Sequence, residues 1–304
     1  MKTRKTVKNR KNLKGKGMKG GETSLSSFSF SCSSWFPFLG VLLLLAALLM
    51  PVAAAGERVE ESLLGVAQRY DPVPWAGNRM SSAVLTSPAD LALFEHPEIS
   101  YGRTAREGGK DEEGAFCVRS KWIGFAVETI DPGEEESYRR YTFALARPAG
   151  RNFAAGVAYT RIGSAEGDLD GYGHWDIGAA WRIGGALELA GTCRNVTRED
   201  LGPWKPGRIW EGAFRVDLAE ECFALYGQAR HFAGEDFMEE THPVLGGEYR
   251  PWSSFILRGW TDTGRDRGLG LEFDFGTSSI GFHYRFTGGD EDVSYSYFKL
   301  HGRQ

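Results

Sequence analysis

The chain has 304 residues, and its 36 Lys+Arg against 40 Asp+Glu are unevenly spread. Residues 2–19 carry nine of the bases (Lys2, Arg4, Lys5, Lys8, Arg10, Lys11, Lys14, Lys16 and Lys19) and no acid. Beyond residue 55 the balance is 27 basic against 39 acidic, a net charge of −12, which excludes a nucleic-acid partner because that requires a basic face.

The basic stretch leads through a Ser/Phe segment into the apolar run Phe38–Met50 (FLGVLLLLAALLM) and then Pro51-Val52-Ala53-Ala54-Ala55. Basic region, short apolar region and A-x-A site together read as a secretory signal peptide over residues 1–55, cleaved after Ala55. The apolar run is too short for a spanning helix, which needs about 20 residues. Met18 offers a later start than Met1. Past the cleavage point three cysteines remain (Cys117, Cys193 and Cys222), an odd number without a C-x-x-C pair. That count leaves room for one bridge at most and no thiolate zinc site.

Residues 56–97 read as a separate N-terminal hatch or plug segment. Glu57–Gln68 has the pattern of a short amphipathic helix, and Pro72 and Pro74 mark a turn. Ser87-Pro88-Ala89-Asp90 is a helix start, with Ser87 as N-cap and Pro88 in the first turn. Leu91, Ala92, Leu93 and Phe94 follow, and Pro97 ends the turn.

From about residue 98 the apolar period becomes two, the period of a strand whose side chains alternate between faces. Ile123, Phe125 and Val127 oppose Gly124, Ala126 and Glu128; Phe153, Val157 and Tyr159 oppose Ala154, Gly156, Ala158 and Thr160. Trp175, Ile177, Ala179 and Trp181 oppose His174, Asp176, Gly178 and Ala180; Trp210, Phe214, Val216 and Leu218 oppose Glu211, Arg215 and Asp217. Leu269, Leu271, Phe273 and Phe275 oppose Gly270, Glu272 and Asp274; Ile280, Phe282, Tyr284 and Phe286 oppose Gly281, His283 and Arg285. About 14 strands are expected, and the links between them alternate short and long, with the long ones mostly acidic. This is the rhythm of an all-β, antiparallel up-and-down transmembrane barrel over residues 98–304, whose turns are short on one side of the membrane and longer on the other.

In such a barrel the apolar set meets lipid. Aromatics near strand ends (Trp122, Tyr141, Tyr159, Tyr172, Trp181, Trp210, Trp252, Trp260 and Tyr297) are expected at the membrane boundary. The opposite set is expected to line the lumen: Glu128, His174, Asp176, Glu188, Glu211, Arg215, Asp217, Arg230, Glu272, Asp274, His283 and Arg285. These charges either select a solute or fill a narrow interior with salt bridges. The small residues Gly124, Ala126, Gly156, Ala158 and Gly178 leave space that a hatch would fill. No G-x-S-x-G motif accompanies His174, His231, His242 or His283, so no catalysis is expected. Asp168/Asp170 and Asp290/Glu291/Asp292 lack EF-hand spacing, so neither a metal nor a cofactor is expected.

The chain resembles the PorV/PorQ-like and FadL-like bacterial outer-membrane β-barrels. The resemblance rests on Trp75–Ser100 (WAGNRMSSAVLTSPADLALFEHPEIS), on Ala144–Tyr159 and most strongly on Leu245–Leu300. Pro88-Ala89-Asp90 stands where that group has its Asp-containing helix, and His96-Pro97 stands at its Asn-Pro turn, with His in place of Asn. The resemblance implies a 14-stranded barrel in the outer membrane, with Asp90, His96 and Pro97 shaping the last turn of the hatch. It further implies one of two functions: passage of small hydrophobic compounds, or a non-transporting scaffold for exported or surface-attached proteins.

Overall fold

A computed structural model describes residue 76 and residues 80–93, 96–106, 112–130, 138–163, 170–197, 207–218, 222–233, 242–262, 266–286 and 293–302. The signal peptide, the Glu57–Gln68 helix and most of the long links lie outside the described residues.

Fourteen antiparallel strands close into one barrel. They are β1 (Glu98–Arg106), β2 (Glu112–Ser120), β3 (Ile123–Ile130), β4 (Tyr138–Pro148), β5 (Phe153–Gly163), β6 (Gly173–Ile183) and β7 (Leu187–Arg194). The circuit continues with β8 (Ile209–Leu218), β9 (Phe223–Phe232), β10 (His242–Trp252), β11 (Phe255–Asp262), β12 (Arg267–Asp274), β13 (Ser278–Phe286) and β14 (Val293–His301). Each strand pairs with its neighbours in sequence, and β14 returns to β1 with Glu98 opposite His301 and Arg106 opposite Val293. Closure leaves no strand edge, so the ladder satisfies the backbone without help from water, as a hydrocarbon solvent demands.

Strands of 8–11 residues suit a tilted crossing of a bilayer. At one end of the barrel the links between strands are two to four residues long; at the other they reach fourteen, between β7 and β8. Both ends of the described strand circuit, Glu98 and His301, fall on the short-turn side. The tight turns have local causes. Gly184 and Gly185, between β6 and β7, take φ of 60° and 80°, and Gly276, between β12 and β13, takes 84°, a region where a side chain would clash with its own backbone. The Gly276 N–H donates to Asp274 Oδ1 at 2.7 Å, which fixes that turn. The β10–β11 turn falls on Ser253-Ser254, because β10 carries its pairing through Trp252 to Phe255.

Burial follows the period. β4 and β5 alternate between buried and exposed positions along nearly their whole length. Phe125, Phe143, Val157, Ile177, Phe214, Leu271, Phe282 and Phe298 stand exposed on the outside. The same parity corrects the aromatic assignment. Trp122, Tyr141, Trp181, Trp210 and Trp252 are exposed, whereas Tyr172, Trp260 and Tyr297 are buried. Trp260 shares its parity with Arg258, and Tyr297 with Lys299, so position near a strand end does not decide which face a ring takes.

Candidate functional site: the barrel interior

The inner face has three kinds of wall. The first is a stretch of small residues on β3–β6. Against it lie a single helical turn, α1 (Ala83–Thr86), and a 3-10 helix (Pro88–Leu93). The chain pattern placed the helix start at Pro88, and it is there: extended Ser87 precedes it, and the Asp90 N–H donates to the Ser87 carbonyl at 3.0 Å. Val84, Leu85 and Leu91 pack in one cluster with Ala126, Ala144 and Ala158. The glycines decide how close the backbones come. A Cβ on Gly156 would lie 2.5 Å from the Pro88 carbonyl carbon, and one on Gly124 would lie 2.2 Å from Val84 Cγ2. Gly178 faces the Pro88 ring. No larger residue fits at Gly156 without moving the backbone of the helical segment.

The second kind of wall is charged, and it forms two belts. On the long-link half, Arg140 Nε donates to Glu128 Oε2 at 2.6 Å. Next around the circuit, Asp176 lies 3.6 Å from His174 Nε2 and accepts from Arg194 Nη1 at 3.2 Å. Arg194 also donates to Glu211 at 2.6 Å, and Glu211 accepts from Arg230 at 3.0 Å. On the short-turn half, Arg182 pairs with Glu188 at 2.7 Å. Arg215 pairs with Asp217 at 2.8 Å and with Glu248 at 3.3 Å, while Glu248 also holds Arg250 and Arg258. Arg258 continues to Glu272, which accepts from Lys299 and from the Tyr297 hydroxyl, each at 2.7 Å. Glu98 closes the belt beside Arg119 and His301. Burying a charge is tolerable only when it is paired in this way.

Arg194 ties the belt to the helical segment. Its Nη2 donates to the carbonyls of Leu85 and Thr86 at 2.9 and 3.1 Å, the end of α1 where carbonyls lack helical partners. At the other end of the segment, the Ser81 N–H donates to Glu98 Oε1 at 2.5 Å. Above the long-link belt lies an apolar layer of Ile130, Tyr138, Ile162, Tyr172, Ile209 and Phe232, all buried on the inner face.

The third kind of wall is aromatic and lies on β9–β14, across the barrel from the small-residue wall. Tyr226, Val244 and Trp260 pack together, and His283 sits between Tyr295 and Tyr297, with ring centroids 6.2 and 5.3 Å away.

Of the residues singled out in the sequence, Glu128, His174, Asp176, Glu188, Glu211, Arg215, Asp217, Arg230 and Glu272 are brought into the two belts, and His283 into the aromatic wall. Two stand apart. Asp274 caps its turn at the short-turn rim, and Arg285 is half-buried on Asp266 at the opposite rim. The hatch-turn residues separate. Asp90 is fully buried, within electrostatic reach of Arg119. His96 and Pro97 lie at the barrel seam, where the Gly302 N–H donates to the Pro97 carbonyl at 2.8 Å. The sequence reading missed the partners: Glu98, Arg119, Arg140, Arg194, Glu248, Arg258 and Lys299. The same period-two alternation, extended through β1, β2, β4, β7, β10, β11 and β14, marks them as inward.

A closed sheet, a greasy exterior and a charged, paired interior define a transmembrane β-barrel of the bacterial outer-membrane kind. No protein-family model matches the chain, and no curated protein is similar to it in sequence. Its fold is similar to that of TbuX, the toluene transporter of Ralstonia pickettii (11% identity, 73% of this chain and 93% of that one, TM-score 0.50). It is also similar to a deltaS2S3 mutant of TodX, a monoaromatic hydrocarbon channel (8% identity, 79% of this chain and 98% of that one, TM-score 0.55). At such identities the likeness is one of fold. The FadL-like side of the expected resemblance thus has counterparts in architecture, while the PorV/PorQ-like side finds no match in sequence.

Proposed function

We propose that the protein is an outer-membrane channel for small hydrophobic compounds, with residues 56–97 acting as a hatch inside the barrel. The observation that carries this reading is the seating of residues 80–93. They pack mainly on the small-residue wall through side-chain contacts and are tied by Arg194 and Glu98, without joining the sheet. A segment held in this way can shift while the ladder stays intact. The two fold neighbours, a toluene transporter and a monoaromatic hydrocarbon channel, support a hydrophobic solute. Outer-membrane lipid is the surrounding partner, and the channel does no chemistry on what it passes.

Liposome swelling with the purified barrel tests the reading. Flux of a small aromatic solute is expected, and it should rise when residues 56–97 are deleted. Absence of flux from both forms would sink transport. It would favour a scaffold for exported proteins, the reading to which the densely paired interior lends weight. Export itself rests on residues 1–55 acting as a signal peptide, and an intact mass beginning at Gly56 is the expected product.

A further inference from the structure

We infer that the aromatic wall holds a recognition site for an uncharged aromatic solute bearing a hydroxyl group, a phenol rather than a bare hydrocarbon. This deepens the transport reading and rests on it for how the solute arrives.

The site is centred on two glycines of β12. Gly268 and Gly270 share the inner face, one pleat repeat apart, about 7 Å along the strand. The Trp260 ring reaches over Gly268 from β11, and its Nε1 lies 2.1 Å from where a Cβ on that glycine would be. From β13 the His283 ring reaches over Gly270, with Nδ1 at 2.5 Å from the corresponding point. The register places these residues side by side, Trp260 opposite Gly268 and His283 opposite Gly270. Two side-chain rings from different strands therefore lie over neighbouring glycines of β12, each with a ring nitrogen nearest the glycine it covers.

Both rings are buried, and neither Trp260 Nε1 nor either His283 nitrogen has a hydrogen-bond partner among the described residues. A buried polar atom left in that state is disfavoured, and in native proteins it calls for a partner. The chemistry of the pair narrows what that partner is. Trp Nε1 only donates, whereas a neutral imidazole donates at one nitrogen and accepts at the other. A hydroxyl group accepts from the indole N–H and donates to the acceptor nitrogen of the imidazole, giving each a partner; a hydrocarbon gives neither one.

The flanks favour an uncharged aromatic body. Tyr226 and Val244 lie on the Trp260 side, and Tyr295 and Tyr297 on the His283 side. Among the described residues the cations near the site are each paired with a carboxylate: Arg258 with Glu248 and Glu272, Lys299 with Glu272, and Arg285, whose guanidinium lies 6.0 Å over the Trp260 ring, with Asp266.

The test uses the full mature barrel in detergent micelles, with 4-fluorophenol and 4-fluorotoluene as probes followed by fluorine NMR. The expected result is saturable binding of 4-fluorophenol, with 4-fluorotoluene about tenfold weaker, the scale of one buried hydrogen-bonding group left without its partner. Trp260→Phe and His283→Phe keep a ring in place and remove the polar atoms. Each should weaken 4-fluorophenol about fivefold to tenfold and leave 4-fluorotoluene unchanged. Far-ultraviolet circular dichroism confirms that each variant keeps its strands, and either variant alone suffices should the other fail to fold. Equal binding of the two probes, insensitivity of 4-fluorophenol to both substitutions, or no binding of 4-fluorophenol would each overturn the inference. Swelling assays keep it distinct from the transport reading. Discriminating binding without flux supports the site and removes transport; flux that treats the two probes alike leaves transport standing and removes the site.

Discussion

Arg194 joins the charged belt to the helical segment. Its guanidinium meets Asp176, Glu211 and two carbonyls of the helical segment at once, a fan of donors that lysine cannot supply. Arg194→Met should destabilise the folded barrel by about 3–5 kcal/mol, because Asp176 stays buried without its cation. Urea unfolding in detergent measures this, and Arg194→Lys should recover only part of the loss. Gly156 tests the same contact from the wall side. Gly156→Leu should expel residues 80–93 while leaving the sheet paired. Limited proteolysis would then cut within that segment, and circular dichroism would be unchanged. The sequence marks Gly156 as one of the small inward residues that leave space for a hatch, but only the structure supplies its contact. Alternation shows that Gly156 faces inward, but not that the Pro88 backbone comes to rest on it.

At the level of the strand, the exterior obeys a different solvent. Phe143 sits in the middle of β4 and is exposed. Phe143→Arg should cost about 2–4 kcal/mol in lipid, the penalty for a cation at the depth of the bilayer midplane. Leu218→Arg, at the end of β8, should cost no more than about 1 kcal/mol, because its charge reaches the interface. Unfolding titrations of the two variants in phospholipid vesicles check the contrast. A soluble barrel would give no such depth dependence.

The facing of β3, β5, β6, β8, β12 and β13 was legible because period two survives almost without interruption there. The pairing was not legible. Glu128 meets Arg140 because the β3–β4 hairpin sets them opposite, and register depends on link length and turn shape rather than on either residue. Trp260 was misplaced for a related reason. Near a strand end, a tryptophan suits both the lipid boundary and a buried aromatic cluster, and only its parity with Arg258 separates the two.

As a whole, the molecule presents one solvent preference outside and another inside. The apolar exterior requires an amphiphile. Light scattering of the purified mature chain should therefore show a bound detergent belt, and exchange into detergent-free buffer should precipitate it. A monodisperse, detergent-free species would contradict the membrane assignment. The inner surface is lopsided: glycine and alanine on β3–β6 accommodate the helical segment, while tyrosine, tryptophan and histidine on β9–β14 face it from across the barrel. This division gives the interior a side that can yield and a side built to recognise.

The seam between β1 and β14 has a consequence for biogenesis. The ladder that joins Glu98 to His301 cannot form until the final strand has emerged, so every shorter nascent chain exposes two raw edges. Pairing partners about two hundred positions apart also makes the last step slow. The newly made polypeptide should therefore need shielding until it meets the lipid, and removing holdase chaperones should send it to aggregates instead.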